Sequence, residues 1–253
     1  MIKNKGMNKV IKYIYEKFEN EEKMLFTVLD PLDHKDVEHA VETAKRTYEG
    51  GADAILIGGS TGVQGEILDG VTKRVREVVD IPIILFPGNI GTVTKYADAL
   101  YFMSLLNSRN PYWITRAQML AAPVVKRLGI EAIPTAYIVV EPGGTVGWVG
   151  DVDLIPRNKP KIAAAFALAA DMMGFKLIIT DAGSNPKEGH IPLEMIKSVK
   201  SVITKPYVVA GGIRTPEQAK NVVKAGADII QVGTAFEKDA GKRIKMFIKA
   251  IKG

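Results

Sequence analysis

Apolar residues gather into eight short runs along the chain, at residues 24–29, 54–57, 83–86, 99–103, 132–140, 177–180, 207–210 and 229–232. Most lack the polar alternation of a strand with one wet face, so they read as strands buried on both sides. Between them lie longer stretches with apolar residues at helical spacing, at 37–48, 116–128, 162–173, 193–202 and 216–225, several closed by a glycine. A further helical pattern at 7–19 precedes the first run. Alternation of strand and helix eight times over predicts parallel pairing, because a parallel neighbour is reached only through a long crossover. In 253 residues this predicts one α/β domain over 1–253, a (β/α)8 TIM-type barrel, with 1–22 as an N-terminal helical extension.

Two segments break the alternation. Between 86 and 99 the chain reads PGNIGTVTKYAD, with two glycines and a proline where an amphipathic helix is due, so the third helix is expected to be modified or missing. Residues 141–160, EPGGTVGWVGDVDLIPRNKP, read as a long loop after the fifth strand, and loops of that length in compact domains are often functional. A faint internal echo pairs GGADAILIGGSTG at 50–62 with KAGADIIQVGTA at 224–235.

Composition narrows the class. With 47% apolar and 25% charged residues the chain can bury a full core. Cysteine is absent, which excludes disulfides, thiolate metal sites and a cysteine nucleophile, and fits a reducing cytoplasm. No stretch of eighteen apolar residues occurs and the first residues are charged, so neither a spanning helix nor a signal peptide is expected. The net charge of +6 would suit nucleic acid, a membrane surface or an anionic substrate. The lysines are scattered over helices, which argues against nucleic acid. The last segment, KDAGKRIKMFIKAIKG, places Ile244, Phe247, Ile248 and Ile251 on one face of a basic helix. It reads as a solvated outer helix or as a transient contact with a membrane surface. Trp113 and the apolar stretch 119–125 suit either self-association into a homo-oligomer or ordinary packing.

In a parallel barrel all C-terminal strand ends face one mouth, and chemistry belongs there. In order those ends carry Asp30, Gly58-Gly59-Ser60-Thr61, Pro87-Gly88-Asn89, Ser104, Glu141, Asp181-Ala182-Gly183-Ser184-Asn185, Gly211-Gly212 and Gly233-Thr234. Glycine turns after the last strands let backbone amides approach a phosphate, and Gly183, Ser184 and Thr234 add donors. Asp30 reads either as a metal ligand or base, or as a cap on the segment that follows; Asp36 reads as a helix cap. Asp181 is placed to hold or deprotonate a ligand hydroxyl, or to brace its own turn. Glu141, four residues beyond Tyr137, is a further candidate. Among the histidines only His34 lies near a candidate acid, and none has ligand-like spacing to another.

These strand ends resemble those of the archaeal geranylgeranylglyceryl phosphate synthases and their bacterial heptaprenylglyceryl phosphate relatives. The resemblance runs from Lys23 to the end and rests on TVLDPLD, AILIGGSTG, LFPGN, ADALYFMSLLNSRNPYWI, EAIPTAYIVVEPGGTVGWVG, DAGS, VAGGIRTPEQA and QVGTAFE. It implies transfer of a prenyl group from geranylgeranyl diphosphate to the 3-hydroxyl of sn-glycerol 1-phosphate, with Mg2+ as cofactor. By resemblance Asp30 and Ser60, or Thr61, hold the Mg2+. Ile179, Thr180, Asp181, Ala182, Gly183, Ser184 and Asn185, with Gly211, Gly212, Gly233 and Thr234, hold the glycerol phosphate, and Asp181 activates its hydroxyl. The family commonly reads Tyr-Leu-Glu-Ala-Gly-Ser-Gly where this chain has residues 179–185, so the acid here is one methylene shorter. A prenyl chain needs an apolar trench, and the gap at the third unit, with Tyr101, Tyr137 and Trp148 as walls, is the expected place. A phosphosugar isomerase or epimerase on the same phosphate cup is the alternative, with Asp30 and Asp181 as its acid and base. A Schiff-base aldolase is disfavoured because Lys23, Lys176 and Lys205 precede strands and fall at the opposite mouth. A phosphate-ligand sensor or lipid-surface protein is the non-enzyme reading, and it leaves Asp30, Ser60 and Asp181 without a role.

Overall fold

The structure, a computed structural model, describes residues 9–59, 61–233 and 240–253; Ser60 and Thr234 therefore lie outside the described residues. Eight parallel strands close into a barrel in sequence order: β1 (Met24–Leu29), β2 (Ala54–Ile57), β3 (Ile83–Leu85), β4 (Ala99–Leu105), β5 (Glu131–Val139), β6 (Leu177–Asp181), β7 (Tyr207–Ala210) and β8 (Ile229–Val232). Closure is made by the register of β1 on β8, with Met24 beside Ile229 and Thr27 beside Val232. Strand pleating explains the continuous apolar runs. Phe26, Leu56, Ile179 and Val208 fill the barrel interior, while their neighbours Ile55 and Ile57 on one side of the molecule, and Ile178 and Val209 on the other, pack outward under the helices.

The helices are α1 (Lys9–Glu19), α2 (Val37–Glu49), α3 (Gly65–Arg76), α4 (Ala117–Leu128), α5 (Gly144–Val149), α6 (Pro160–Met172), α7 (Leu193–Lys200), α8 (Pro216–Lys224) and α9 (Ala240–Lys252). Local chemistry sets several starts. Asp36 caps α2 by accepting the His39 amide at 2.8 Å. Thr215 and Gln218 form a reciprocal capping box on α8, with Pro216 in its first turn. Residues 86–98 form no helix; Asn89 accepts the Gly91 amide at 2.7 Å, and Thr92 donates to the Val63 carbonyl at 3.0 Å. The stretch expected to be a loop after β5 contains α5, a helix of six residues. Its sequence GTVGWV is too short and too glycine-rich to show a helical period.

The N-terminal mouth is sealed. Val10 and Ile14 of α1 pack into the barrel interior, and the buried Glu131 carboxylate accepts the Val10 and Ile11 amides at 2.8 and 2.9 Å. The internal echo belongs to this end too. Asp53 and Asp228 each accept a strand amide, from Leu25 at 2.9 Å and from Tyr207 at 3.0 Å. Lysines neutralise both, Lys252 at 2.8 Å on Asp53 and Lys23 at 3.1 Å on Asp228. Repeated Gly-Ala-Asp thus marks a structural turn. Glu131→Gln, which keeps one acceptor oxygen but removes the charge at the α1 start, is expected to cost about 1 kcal/mol. Thermal unfolding should show a fall of about 2–4 °C with kcat unchanged.

The basic last helix spends its apolar face on the barrel: Ile244, Phe247 and Ile251 are buried against α2 and α8. This favours the solvated outer helix over lipid contact, because the face that lipid would need is already covered. Among the described residues no helix is long and apolar enough to cross a membrane.

Candidate active site

A cavity of about 410 Å³ opens at the C-terminal mouth. It is lined by Asp30 after β1, Gly59 after β2, Asp181 and Gly183 at the end of β6, Gly211 and Gly212 after β7, and Gly233 after β8. The acids and glycine turns predicted from both ends of the chain therefore meet in one space. Ser184, Asn185 and Tyr137 line it as well. Three other residues expected to bind substrate do not. Ile179 is packed in the barrel interior below the cavity. Thr180 points outward, its Oγ1 2.7 Å from the Tyr207 hydroxyl, and Ala182 packs in the outer core under the helices. The pleat of β6 is the reason: with Asp181 facing in, its two neighbours face out.

Asp181 is buried and held from two sides. Its Oδ1 accepts the Gly183 amide at 2.6 Å and its Oδ2 accepts the Tyr137 hydroxyl at 2.5 Å. Burial pushes its carboxyl above the ordinary aspartate range, while the two hydrogen bonds oppose that rise. Burial and the neighbouring Asp181 push the Tyr137 phenol well above 10, so at neutral pH it is a donor. Gly211 explains why the turn beyond must lack a side chain. Its φ is +81°, and a Cβ there would lie 2.7 Å from Asp181 Oδ1 and from the Gly183 carbonyl oxygen.

Asp30 is a cap, and one of its oxygens is left over. Its Oδ1 accepts the Leu32 amide at 3.0 Å, capping the 3-10 turn Pro31–Asp33. Among the described residues its Oδ2 takes no hydrogen bond, and this oxygen lies beside Gly59 at the cavity wall. Burial raises its carboxyl above the usual range, with Asp33 adding to the rise; the Leu32 amide and His34 oppose it. One carboxylate with a spare oxygen facing a cavity fits the way Mg2+ binds, which takes one or two carboxylates together with waters and phosphate oxygens. His34 places Nδ1 2.9 Å from the Asp30 carbonyl oxygen, bracing the same turn.

Several expectations need correction. Glu141 is exposed, accepts the Arg157 amide at 3.2 Å, and does not line the cavity. Trp148, expected as a channel wall, is 87% exposed on α5, whereas Trp113, read as either a self-association surface or ordinary packing, lines the cavity. Tyr101 and Tyr137 do line it, with Leu100, Phe102 and Leu105, beside Ile90 and Val93 of the segment that lacks a helix. The missing helix therefore leaves an apolar flank open to the acids. Two cations escaped sequence reading. Arg214, just beyond Gly211-Gly212, donates from Nε and Nη2 to Asn185 Oδ1 at 3.1 and 3.0 Å, and Arg243 of α9 donates to the Arg214 carbonyl at 3.1 Å. Both line the cavity. The sequence signal for Arg214 was its place at a strand end; Arg243 was hidden among surface lysines. Among the described residues no lysine lines the cavity, and Lys23 and Lys205 pair with Asp228 and Asp171 at the far end of the strands.

The model of the PcrB family matches residues 17–251. This chain belongs to the PcrB family. Its relatives in the family include the geranylgeranylglyceryl phosphate synthase of Thermococcus sibiricus, 55% identical over 251 residues and 97% of each chain. The enzyme of the same name from Thermococcus kodakarensis is 53% identical over 98% of this chain and 99% of its own. Among solved structures, (S)-3-O-geranylgeranylglyceryl phosphate synthase from Thermoplasma acidophilum, in complex with its substrate sn-glycerol-1-phosphate, superposes with a TM-score of 0.91. It is 36% identical, covering 96% of this chain and 98% of that one. Within the family's barrel, the glycine turns and the Asp181–Tyr137 pair thus occupy the end at which a parallel barrel does its chemistry.

Proposed function

We propose that the cavity joins a prenyl diphosphate to glycerol phosphate by an ether bond, and that Asp181 takes the proton of the attacking hydroxyl. The protein is a prenyltransferase acting on geranylgeranyl diphosphate and the 3-hydroxyl of sn-glycerol 1-phosphate, in line with the names of its relatives and of its solved neighbour. The observation that carries this reading is a single cavity in which a buried, hydrogen-bonded acid stands between glycine turns and an apolar flank.

Amides of the turn beyond Gly183, whose own N–H is engaged by Asp181, and of the turns at Gly211, Gly212 and Gly233 hold the phosphate, and Arg214 and Arg243 supply positive charge nearby. With its phosphate fixed there, the ligand presents its 3-hydroxyl to Asp181, whose oxygens each keep a lone pair beyond the bonds to Tyr137 and Gly183. The hydroxyl oxygen forms a bond to the allylic carbon as the carbon–oxygen bond to the diphosphate breaks. The electron pair leaves with pyrophosphate and the proton goes to Asp181. Leu100, Phe102, Leu105 and Trp113 bury the prenyl chain at roughly 0.8 kcal/mol per methylene and keep water from the allylic centre. Asp30 would hold Mg2+, which when bound neutralises charge on the diphosphate. We also assign the protein to the cytoplasm, as its lack of cysteine suits, and to a homo-oligomer, since Met119 and Leu120 stand exposed on α4.

Purified protein incubated with Mg2+, labelled sn-glycerol 1-phosphate and a ladder of prenyl diphosphates should form an ether product. Turnover of sugar phosphates alone would replace this reading with an isomerase or epimerase. Tyr137→Phe gives a finer check. The phenol hydrogen bond holds the Asp181 carboxyl down, so its removal lets burial raise that carboxyl further. Asp181 must be ionised to accept a proton; the acid limb of kcat/KM should therefore move to higher pH in the variant. Its kcat at neutral pH should fall about tenfold, the weight of a charge-assisted hydrogen bond.

A further inference from the structure

The loops after β5, β6 and β7 are stacked backbone on backbone. Gly143 donates its amide to the Ala182 carbonyl at 3.2 Å, joining the first loop to the second. The second meets the third at Gly212. There φ is +72°, and a Cβ would lie 2.4 Å from the Gly189 carbonyl carbon and 2.6 Å from the His190 amide nitrogen. Residues 189–190 are thus the wall directly behind Gly212, one of the glycines that line the cavity. This wall belongs to neither helix nor strand, and Lys187 and Glu188 beside it are exposed.

One side chain from the β5 loop grips it. Arg157 Nη2 donates to the His190 carbonyl at 2.7 Å and to the Glu188 carbonyl at 3.2 Å, while Nη1 reaches the Gly189 carbonyl at 3.5 Å and the Glu141 carbonyl at 3.3 Å. Its amide is tied to Glu141 Oε2 at 3.2 Å. A planar fork of five donors can satisfy three successive carbonyls at once; a lysine ammonium, a single point charge, cannot bridge them in that geometry. Arg157 does not line the cavity, so whatever it contributes passes through the wall it holds.

We propose that Arg157 is a positioning residue for the phosphate end of the site: it fixes residues 188–190 against Gly212 and so sets the amides that receive the glycerol phosphate. The inference rests on the function proposed above. It separates the two substrates, because the prenyl flank at Leu100–Leu105 is built from other strands.

The test compares wild type with Arg157→Ala and Arg157→Lys in turnover and in calorimetric titration with sn-glycerol 1-phosphate, alongside thermal unfolding. KM and Kd for glycerol phosphate should rise about tenfold in the alanine variant and about threefold in the lysine variant. KM for the prenyl diphosphate, and kcat at saturation, should stay within about twofold, a spread that leaves the tenfold effect plain. Guanidinium ion at millimolar concentration should restore part of the lost affinity in the alanine variant. A purely structural residue would instead lower the melting temperature and the active fraction, leaving both KM values in place. That result, a parallel rise of both KM values, or unchanged affinity for glycerol phosphate would each overturn the inference. Titration needs no turnover, so a wild type that binds glycerol phosphate but makes no ether product would count against the proposed reaction, while the Arg157 comparison is still decided by binding.

Discussion

Asp181→Asn is expected to lower kcat by a hundredfold to ten-thousandfold, roughly the range over which a positioned proton acceptor accelerates a reaction. The amide has the shape of the carboxylate but cannot take the hydroxyl proton. It also disturbs the local pairing. Both Asp181 oxygens accept, one from the Gly183 amide and one from the Tyr137 hydroxyl, so an NH2 group in place of either oxygen faces a donor. The folded state should nevertheless survive. Burial already disfavours the ionised form of this carboxyl, so removing the charge relieves a desolvation cost that offsets part of the lost hydrogen bonding. The melting temperature should stay close to that of the wild type. The Kd for sn-glycerol 1-phosphate should change little, because in the proposed binding mode the turn amides, not the Asp181 carboxylate, take the phosphate. A variant that kept about half the wild-type kcat would show that another group accepts the proton.

The parts of this site that were legible in the sequence are those fixed by burial and by turn chemistry. Strands β2, β7 and β8 match the apolar runs residue for residue because they are buried on both faces and end at glycines. Strand β4 runs on to Leu105, past the point where Ser104 breaks the apolar pattern. Ser104 there is nearly buried and donates to the Ile114 carbonyl at 2.7 Å, a satisfied polar group that hydrophobicity alone counts as a strand end. What stayed hidden depends on register between strands. Tyr137 and Asp181 are 44 positions apart. They meet only because β5 and β6 pair Val139 with Asp181, which puts Tyr137 two residues lower on the same inward face. Without that register Tyr137 could be read only as an aromatic wall. Trp148 failed for the opposite reason: α5 turns it away from the cavity, and a large apolar side chain carries no mark of the direction it faces. Arg157 is a third kind of case, since its carbonyl partners sit on irregular backbone that no periodicity describes.

Asp30 offers the other large effect, and two substitutions divide its roles. The residue caps a turn through Oδ1 and presents Oδ2 to the cavity. Asparagine serves at a cap about as well as aspartate, whereas alanine does not. If capping were all that Asp30 did, Asp30→Asn would behave as wild type and Asp30→Ala would lose about 1 kcal/mol of stability with modest change in kcat. The site predicts otherwise. Keeping a carboxylate partly desolvated at a cavity wall is costly, and a cap that asparagine could supply gives no return for that cost. With Asp30 as the proposed Mg2+ ligand, both variants are expected to lose prenyl transfer by about a thousandfold, the scale of removing a group that stabilises charge in the transition state. Affinity for sn-glycerol 1-phosphate should persist in both, because the turns proposed to hold the phosphate follow β6, β7 and β8 and do not include Asp30. Thermal unfolding should separate the pair, with asparagine near wild type and alanine below it. Transfer retained in the asparagine variant but lost in the alanine variant would return Asp30 to the role of a cap.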